Sequence, residues 1–255
     1  MTAADAPDVV TASPERVEEL RAALARTTDR VARAARAAGR DPDELRLVVV
    51  TKFFPVSDVR ALAGLGVRAV GESRDQEAAA KVADLTSPTG GPVAQLAWHF
   101  IGQVQTNKAA SVVRYADVVH SVDRLRLVRA LDRAAGPAGR TVDCFVQVDL
   151  AAALGRSQDE GRGGAAGEEV HAVAEAVDAA ANLRLRGLMA VAPQAVEPAA
   201  AFEALAALAG RVRADHPGAV DLSAGMSGDL EEAVAAGATH LRVGGAILGT
   251  RPAAR

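Results

Sequence analysis

The sequence predicts a closed (β/α)8 barrel, and three observations carry the prediction. Eight short apolar runs, several rich in β-branched residues, alternate with segments of helical period, a pattern of parallel strands joined by helical crossovers. The chain has 255 residues, the length of one such barrel, and eight strands at this length favour closure over an open doubly wound sheet. Hydrophobic residues make up 49% and aromatics only 3%, so a sizeable core must rest on Val, Leu, Ile and Ala.

In chain order, 1–12 reads as a disordered tail and 13–255 as one barrel domain. Ser13-Pro14-Glu15 is a helix start: a capping hydroxyl, proline in the first turn and an acid at the positive end of the dipole. Val17, Leu20, Leu24 and Val31 continue the helix until Gly39 can end it. Strands are predicted near 45–51, 67–71, 96–101, 117–121, 142–149, 183–190, 219–223 and 239–243. Helices are predicted near 57–65, 73–85, 106–115, 123–135, 167–181, 196–214 and 228–236. Segments 86–92 and 155–167, rich in Gly, read as mobile surface loops.

Composition excludes several classes. A net charge of −3 and a pI near 6.0 do not point to nucleic acid or an anionic membrane. No run of about 18 apolar residues spans a bilayer, and the first ten residues lack a signal core. A single cysteine, Cys144, precludes an internal disulfide, fits a cytoplasmic protein, and reads as a buried small hydrophobe. No His, Cys and carboxylate cluster has metal-ligand spacing, no Ser-His-Asp arrangement is readable, and no Gly-x-Gly-x-x-Gly leads from strand to helix.

Barrels of this kind gather functional groups after the strand ends. Those positions include Lys52, Glu72, Ser73, His99, Ser121, Asp123, Asp149, Met189, Ser223, Arg242, Gly244 and Gly245. Lys52 ends the run Leu47-Val48-Val49-Val50-Thr51. Desolvation there lowers an amine's pKa and makes it a nucleophile toward an aldehyde; a lysine snorkelling to solvent fits the position equally. Ser223-Ala224-Gly225-Met226-Ser227-Gly228 and Gly244-Gly245-Ala246-Ile247-Leu248-Gly249 follow strands seven and eight, where backbone N–H groups can hold a phosphate. Ser227 either caps a helix beginning at Gly228 or donates to that phosphate. Arg242 faces a ligand or a structural ion-pair partner, and His99 taken alone reads more readily as a packed, hydrogen-bonded strand residue.

The blocks Val49-Val50-Thr51-Lys52, Val70-Gly71-Glu72-Ser73, Trp98-His99-Phe100-Ile101-Gly102-Gln103-Val104-Gln105-Thr106-Asn107-Lys108, Ser121-Val122-Asp123-Arg124-Leu125, Leu185-Arg186-Gly187-Leu188-Met189-Ala190, Leu222-Ser223-Ala224-Gly225-Met226-Ser227 and Arg242-Val243-Gly244-Gly245-Ala246-Ile247-Leu248-Gly249 occur in one order. Together they resemble the pyridoxal phosphate homeostasis protein family over roughly residues 14–252. The resemblance implies a fold-type III barrel similar to the N-terminal domain of alanine racemase, with pyridoxal 5′-phosphate held as a Schiff base on Lys52. It implies that Ser227, Gly244 and the Gly245 backbone hold the phosphate and that Arg242 meets the pyridine nitrogen. Met189, Ser223 and His99 would line or support the pocket, and Ser73 and Met226 count as cofactor contacts with them. Two positions depart from the family pattern: Ser73 replaces its usual asparagine, and Gly245 replaces a Ser or Thr, removing one hydroxyl donor to phosphate.

An arginine at the ring nitrogen keeps the electron sink weak. The one tyrosine, Tyr115, lies in a helical segment away from the barrel mouth, and no second domain is expected to add an opposing base. The expectation is therefore a monomeric cofactor carrier, handing pyridoxal phosphate to transient client enzymes without robust catalysis. A racemase-like enzyme of amino acids, or a sugar-phosphate enzyme using Lys52 as a carbonyl-binding lysine, are the competing readings.

Overall fold

A computed structural model of the chain describes residues 10–85, 92–155 and 163–251. The elements run α1 Pro14–Ala37, β1 Arg46–Val50, α2 Val56–Gly64, β2 Ala69–Glu72, α3 Asp75–Leu85, β3 Ala97–Phe100, α4 Ala109–Val113, β4 Val118–Val122, α5 Leu125–Ala135, β5 Val142–Gln147, α6 Leu150–Ala153, α7 Glu169–Asp178, β6 Leu183–Met189, α8 Pro198–Asp215, β7 Asp221–Ser223, α9 Leu230–Ala235, β8 His240–Val243 and α10 Gly245–Leu248. The eight strands form a closed parallel barrel in sequence order, β1 pairing with both β2 and β8. Each predicted strand lies within a few residues of an observed one, as do the predicted crossover helices.

Closure fixes the site's geography. In the β8–β1 seam Val48 stands opposite Arg242 and Val49 opposite Val243. The next residues outward, Gly244 and Val50, are then neighbours: a Cβ on Gly244 would lie 3.0 Å from the Val50 carbonyl oxygen. Lys52 and the β8 loop thus share one rim of the barrel.

Aliphatic side chains between strands and helices, among them Leu62, Val70, Leu127, Leu131, Leu188 and Leu205, are fully buried. The barrel axis is different. Rings from β3, β4, β5 and β8 converge there: His120 stacks on Phe145 at 4.6 Å, Phe145 meets His240 at 5.0 Å, and His99 meets His120 at 5.1 Å. Cys144 is buried with the aliphatic layer, where desolvation raises its thiol pKa.

Helix α1 begins as expected, Arg16 N–H donating to Ser13 Oγ at 3.2 Å, and it ends at Ala37 just before Gly39, whose φ is 67°. It straps the outside of the barrel. Arg16 pairs with the buried Asp58 at 2.8 Å and donates to Leu248 O at 3.0 Å, while Arg30 donates to Ser227 O at 2.8 Å and pairs with Glu231 at 2.5 Å.

One expectation changes. Of segment 155–167, residues 156–162 lie outside the described residues, but the remainder is no loose loop. Ala165 is fully buried and bridges to Val148, because Ala165 N–H donates to Gln147 O at 2.8 Å and Asp149 N–H to Ala165 O at 3.0 Å. Of segment 86–92 only Pro92 is described, opening a 3-10 turn, and of the tail only residues 10–12.

Gly187 cannot be replaced cheaply. Its φ is 147°, and a Cβ there would overlap the carbonyl oxygen of Asp221 on the paired strand. Gly187→Ala is expected to cost about 3 kcal/mol, lowering Tm by about 6–12 °C. An unchanged melting curve would contradict this account.

Candidate functional site

A cavity of about 500 Å3 opens at the carboxyl end of the barrel, and Lys52, Ser73 and Met189 line it with Gln103, Gln147 and Asp149. Lys52 is half-buried at its edge. Burial, and then the positive charge of Arg251, lower its pKa, while Glu72 and Glu77 oppose the shift.

The turn that aims Lys52 rests on an ionic network that spacing did not foretell. Glu72, 1% exposed, accepts from Thr51 Oγ1 at 2.7 Å and from Lys81 Nζ at 2.8 Å through Oε1. Lys81 Nζ also donates to Glu77 Oε1 at 2.7 Å and to Thr51 O at 2.8 Å. Glu77 Oε1 in turn accepts the Phe53 N–H at 2.5 Å. Phe53, at φ 71°, is the non-glycine residue with positive φ among those described, and this hydrogen bond holds it there. Residues 51 and 53 are thereby pinned on either side of Lys52. Glu72 stood among the strand-end positions, but Lys81 sits nine residues on, in α3, and only the fold brings them together.

Removing Lys81 would leave two carboxylates against each other, one of them buried. Lys81→Met is expected to destabilise the protein by about 3–5 kcal/mol. Urea unfolding measures this, and a loss below about 1 kcal/mol would mean that the network does not anchor the turn.

Ser223, paired with the cavity residue Met189 across the β6–β7 seam, and Arg242 on β8 are both buried. Arg242 Nη1 donates to Ser223 Oγ at 2.6 Å and Nη2 to Ala190 O at 2.8 Å. No carboxylate forms an ion pair with it among the described residues, and burial pushes its pKa down to about 10. A buried guanidinium held only by neutral oxygens leaves room for an acceptor of the ligand's own.

Met226, Ser227, Gly244 and Gly245 do not line the 500 Å3 cavity; they form the β7 and β8 loops along the same rim. Helix α9 starts only at Leu230, so Ser227 is not its cap. The intervening turn is closed by Asp229, whose Oδ1 accepts the Met226 N–H at 2.6 Å. Among the described residues the N–H groups of Ser227, Gly228, Gly245 and Ala246 have no hydrogen-bond partner. Arg30 steadies the first loop through Ser227 O.

His99 is packed and hydrogen-bonded, its Nδ1 2.8 Å from His120 Nε2, and it lines a different cavity at the amino-terminal end. His120 Nδ1 lies 2.8 Å from Ser223 Oγ, so His99 reaches the Ser223–Arg242 pair through one intermediary. Sequence reasoning did not single out His120; its strand position was legible, its partners were not. Tyr115 is buried, donates through its hydroxyl to Asp75 Oδ1 at 3.3 Å and does not line the carboxyl-end cavity.

Comparison with known proteins agrees with this fold. The family described as "Alanine racemase, N-terminal domain" matches residues 22–252. A "Pyridoxal phosphate homeostasis protein" of Mycobacterium tuberculosis is 44% identical over 255 residues, covering 95% of this chain and 96% of the relative. One from Escherichia coli is 33% identical, covering 89% and 95%. The solved structure of PipY from Synechococcus elongatus with PLP bound has a TM-score of 0.72 at 33% identity, covering 86% of this chain and all of that one. Alanine racemase from Corynebacterium glutamicum shares the fold, with a TM-score of 0.66 at 15% identity over 93% of this chain and 62% of the racemase. No helix among the described residues is long and apolar enough to cross a membrane. On the extent and identity of these matches, the chain belongs to the pyridoxal phosphate homeostasis protein family.

Proposed function

We propose that the protein binds pyridoxal 5′-phosphate covalently at Lys52 and keeps it for intracellular storage, protection and delivery, acting as a monomer in the cytoplasm. The observation that carries this reading is the pairing of a half-buried, pKa-lowered lysine with a buried arginine that lacks a carboxylate partner. The residues present fit the cofactor. Lys52 Nζ supplies the amine, Arg242 a donor for the ring nitrogen, and the unpaired N–H groups at Ser227, Gly228, Gly245 and Ala246 a cradle for phosphate. Met189 and Ser73 wall the cavity beside Lys52.

When bound, the cofactor supplies an aldehyde for amines and a ring that accepts electrons best when its nitrogen is protonated. Arg242 retains its proton at neutral pH even with its pKa near 10, so it donates a hydrogen bond to that nitrogen without protonating it. Tyr115 is tied to Asp75 and offers no base at the cavity. Both points support a carrier over a racemase. Incubation with single-enantiomer amino acids tests this, and turnover at ordinary enzyme rates, about 1–1000 per second, would overturn it. Transient client enzymes would receive the cofactor.

Gly245→Thr restores the hydroxyl that the family pattern carries. A Cβ at 245 meets nothing within 4 Å, so the change fits. Cofactor binding is expected to tighten roughly fivefold, the worth of one neutral hydrogen bond at about 1 kcal/mol. A dissociation constant that stays the same or rises would count against Gly245 as a phosphate contact.

A further inference from the structure

A cavity of about 670 Å3 opens at the amino-terminal end of the barrel, remote from Lys52. Its polar wall includes Arg46, Arg68, His99 and His240, with Leu24, Leu65 and Phe145 among its apolar surfaces. Arg68 donates only to main-chain carbonyls, Val67 O at 3.1 Å and Ala63 O at 3.5 Å, while the other ionic groups of the wall apart from Arg46 are paired. Asp117 accepts from Trp98 N at 2.8 Å and from Arg140 Nη2 at 2.6 Å, and Arg186 pairs with Asp221 at 2.5 Å and stands 3.7 Å from Asp143. Arg46 has no ion-pair partner among the described residues, and its charge reaches both imidazoles.

His99 and His240 are 5% and 4% exposed, so each is more than nine-tenths buried. Each uses Nδ1 within the protein, towards His120 Nε2 at 2.8 Å and Thr239 Oγ1 at 2.9 Å respectively. Nε2 of each has no protein hydrogen-bond partner among the described residues and is open to the cavity. An Nε2 on His99 that can donate, beside the guanidiniums of Arg46 and Arg68 that lack carboxylate partners among the described residues, in a cavity with apolar surfaces, makes a site for a monoanion with an apolar body.

The site is wired to the other end of the barrel. His99 Nδ1, His120 Nε2, His120 Nδ1 and Ser223 Oγ form a chain of two contacts, each 2.8 Å, and each contact holds one proton. Neutral rings allow two arrangements. In one, Ser223 O–H donates to His120 Nδ1, His120 Nε2–H donates to His99 Nδ1, and His99 presents Nε2–H to the cavity. In the other every donor is reversed, and His99 presents a lone pair. In both, Arg242 donates to Ser223 Oγ.

We infer that the amino-terminal cavity binds a small monocarboxylic acid with an apolar tail, whose carboxylate pairs with Arg46 and accepts the Nε2 proton of His99. Its binding selects the first arrangement and turns the Ser223 hydroxyl toward His120. The ligand site stands without the cofactor reading; only the significance of Ser223 rests on it.

The test uses full-length protein without added cofactor, so it succeeds or fails independently of binding at Lys52. Hexanoate is titrated by calorimetry, and 15N-histidine spectra, with His99→Asn for assignment, report the ring tautomers. Saturable binding is expected, with His99 Nε2 moving to the protonated, pyrrole-type shift and Nδ1 to the pyridine type. Arg46 is exposed, so Arg46→Gln should fold normally, and it is expected to weaken binding about tenfold, the loss of one charge-assisted hydrogen bond. Absence of saturable binding at millimolar hexanoate, or equal binding by Arg46→Gln, would overturn the site. Binding that leaves the His99 and His120 shifts unmoved would overturn the coupling.

Discussion

Replacing Lys52 with alanine is expected to abolish covalent cofactor retention: the purified wild-type protein with pyridoxal 5′-phosphate should absorb in the visible range and, after borohydride, carry a pyridoxyl mass on the Lys52 peptide, and the variant should show neither. The expectation follows from nucleophilicity. An ordinary surface lysine is protonated at neutral pH, whereas burial and the charge of Arg251 move Lys52 toward the neutral amine. Lys81 is no substitute, because its Nζ is committed to two carboxylates and a carbonyl. The fold should survive, since Lys52 is half-buried and has no ion-pair partner among the described residues. A trapped mass at another lysine, or an unchanged spectrum in Lys52→Ala, would refute the assignment.

The second large effect is acid lability. Burial holds His99 down to about 3, His240 down to about 4, and His120 well below its ordinary value. In the unfolded chain all three titrate near 6.5. Above about pH 7 neither state binds these protons and the full stability is present. As pH falls through 6.5 the unfolded chain takes protons that the folded barrel refuses, so stability is lost, and the loss continues toward pH 4. Each ring contributes a slope of up to about 1.4 kcal/mol per pH unit. His99 and His240 alone then remove on the order of 4 kcal/mol between pH 7 and pH 5. Glu72 and Asp143 act in the opposite direction, since burial raises both carboxyls, but they are two groups against three. Urea midpoints at the two pH values measure the difference, and equal midpoints would mean that the axial histidines ionise freely in the folded state.

Local pattern carried the barrel because each strand and crossover announces itself within about ten residues. Arg46–Val50 reads as a buried strand from its own side chains, and Ser13 reads as a cap from its own hydroxyl. The elements that escaped were short or closed by distant partners. Helices α6 and α10 span four residues each, too few for a period to register. Ser227 looked like a cap because a helix follows, but Asp229 closes a turn first and delays the helix. Within the candidate site, the strand ends alone put Lys52 and the two glycine-bearing loops on one rim, while leaving the role of Lys52 open between nucleophile and solvent-facing lysine. Lys81, His120 and the walls at Gln103 and Gln147 were not, since their roles depend on which strands become neighbours when the barrel closes.

The strap formed by α1 sets an order on biosynthesis. Arg16 and Arg30 emerge early from the ribosome, yet their acceptors on the β7 and β8 loops lie 232 and 197 residues later. A nascent chain can acquire most of its strands while these arginines wait. The proposed phosphate-holding rim is tied down only near the end of translation, so a truncated product would present Lys52 without those two loops beside it.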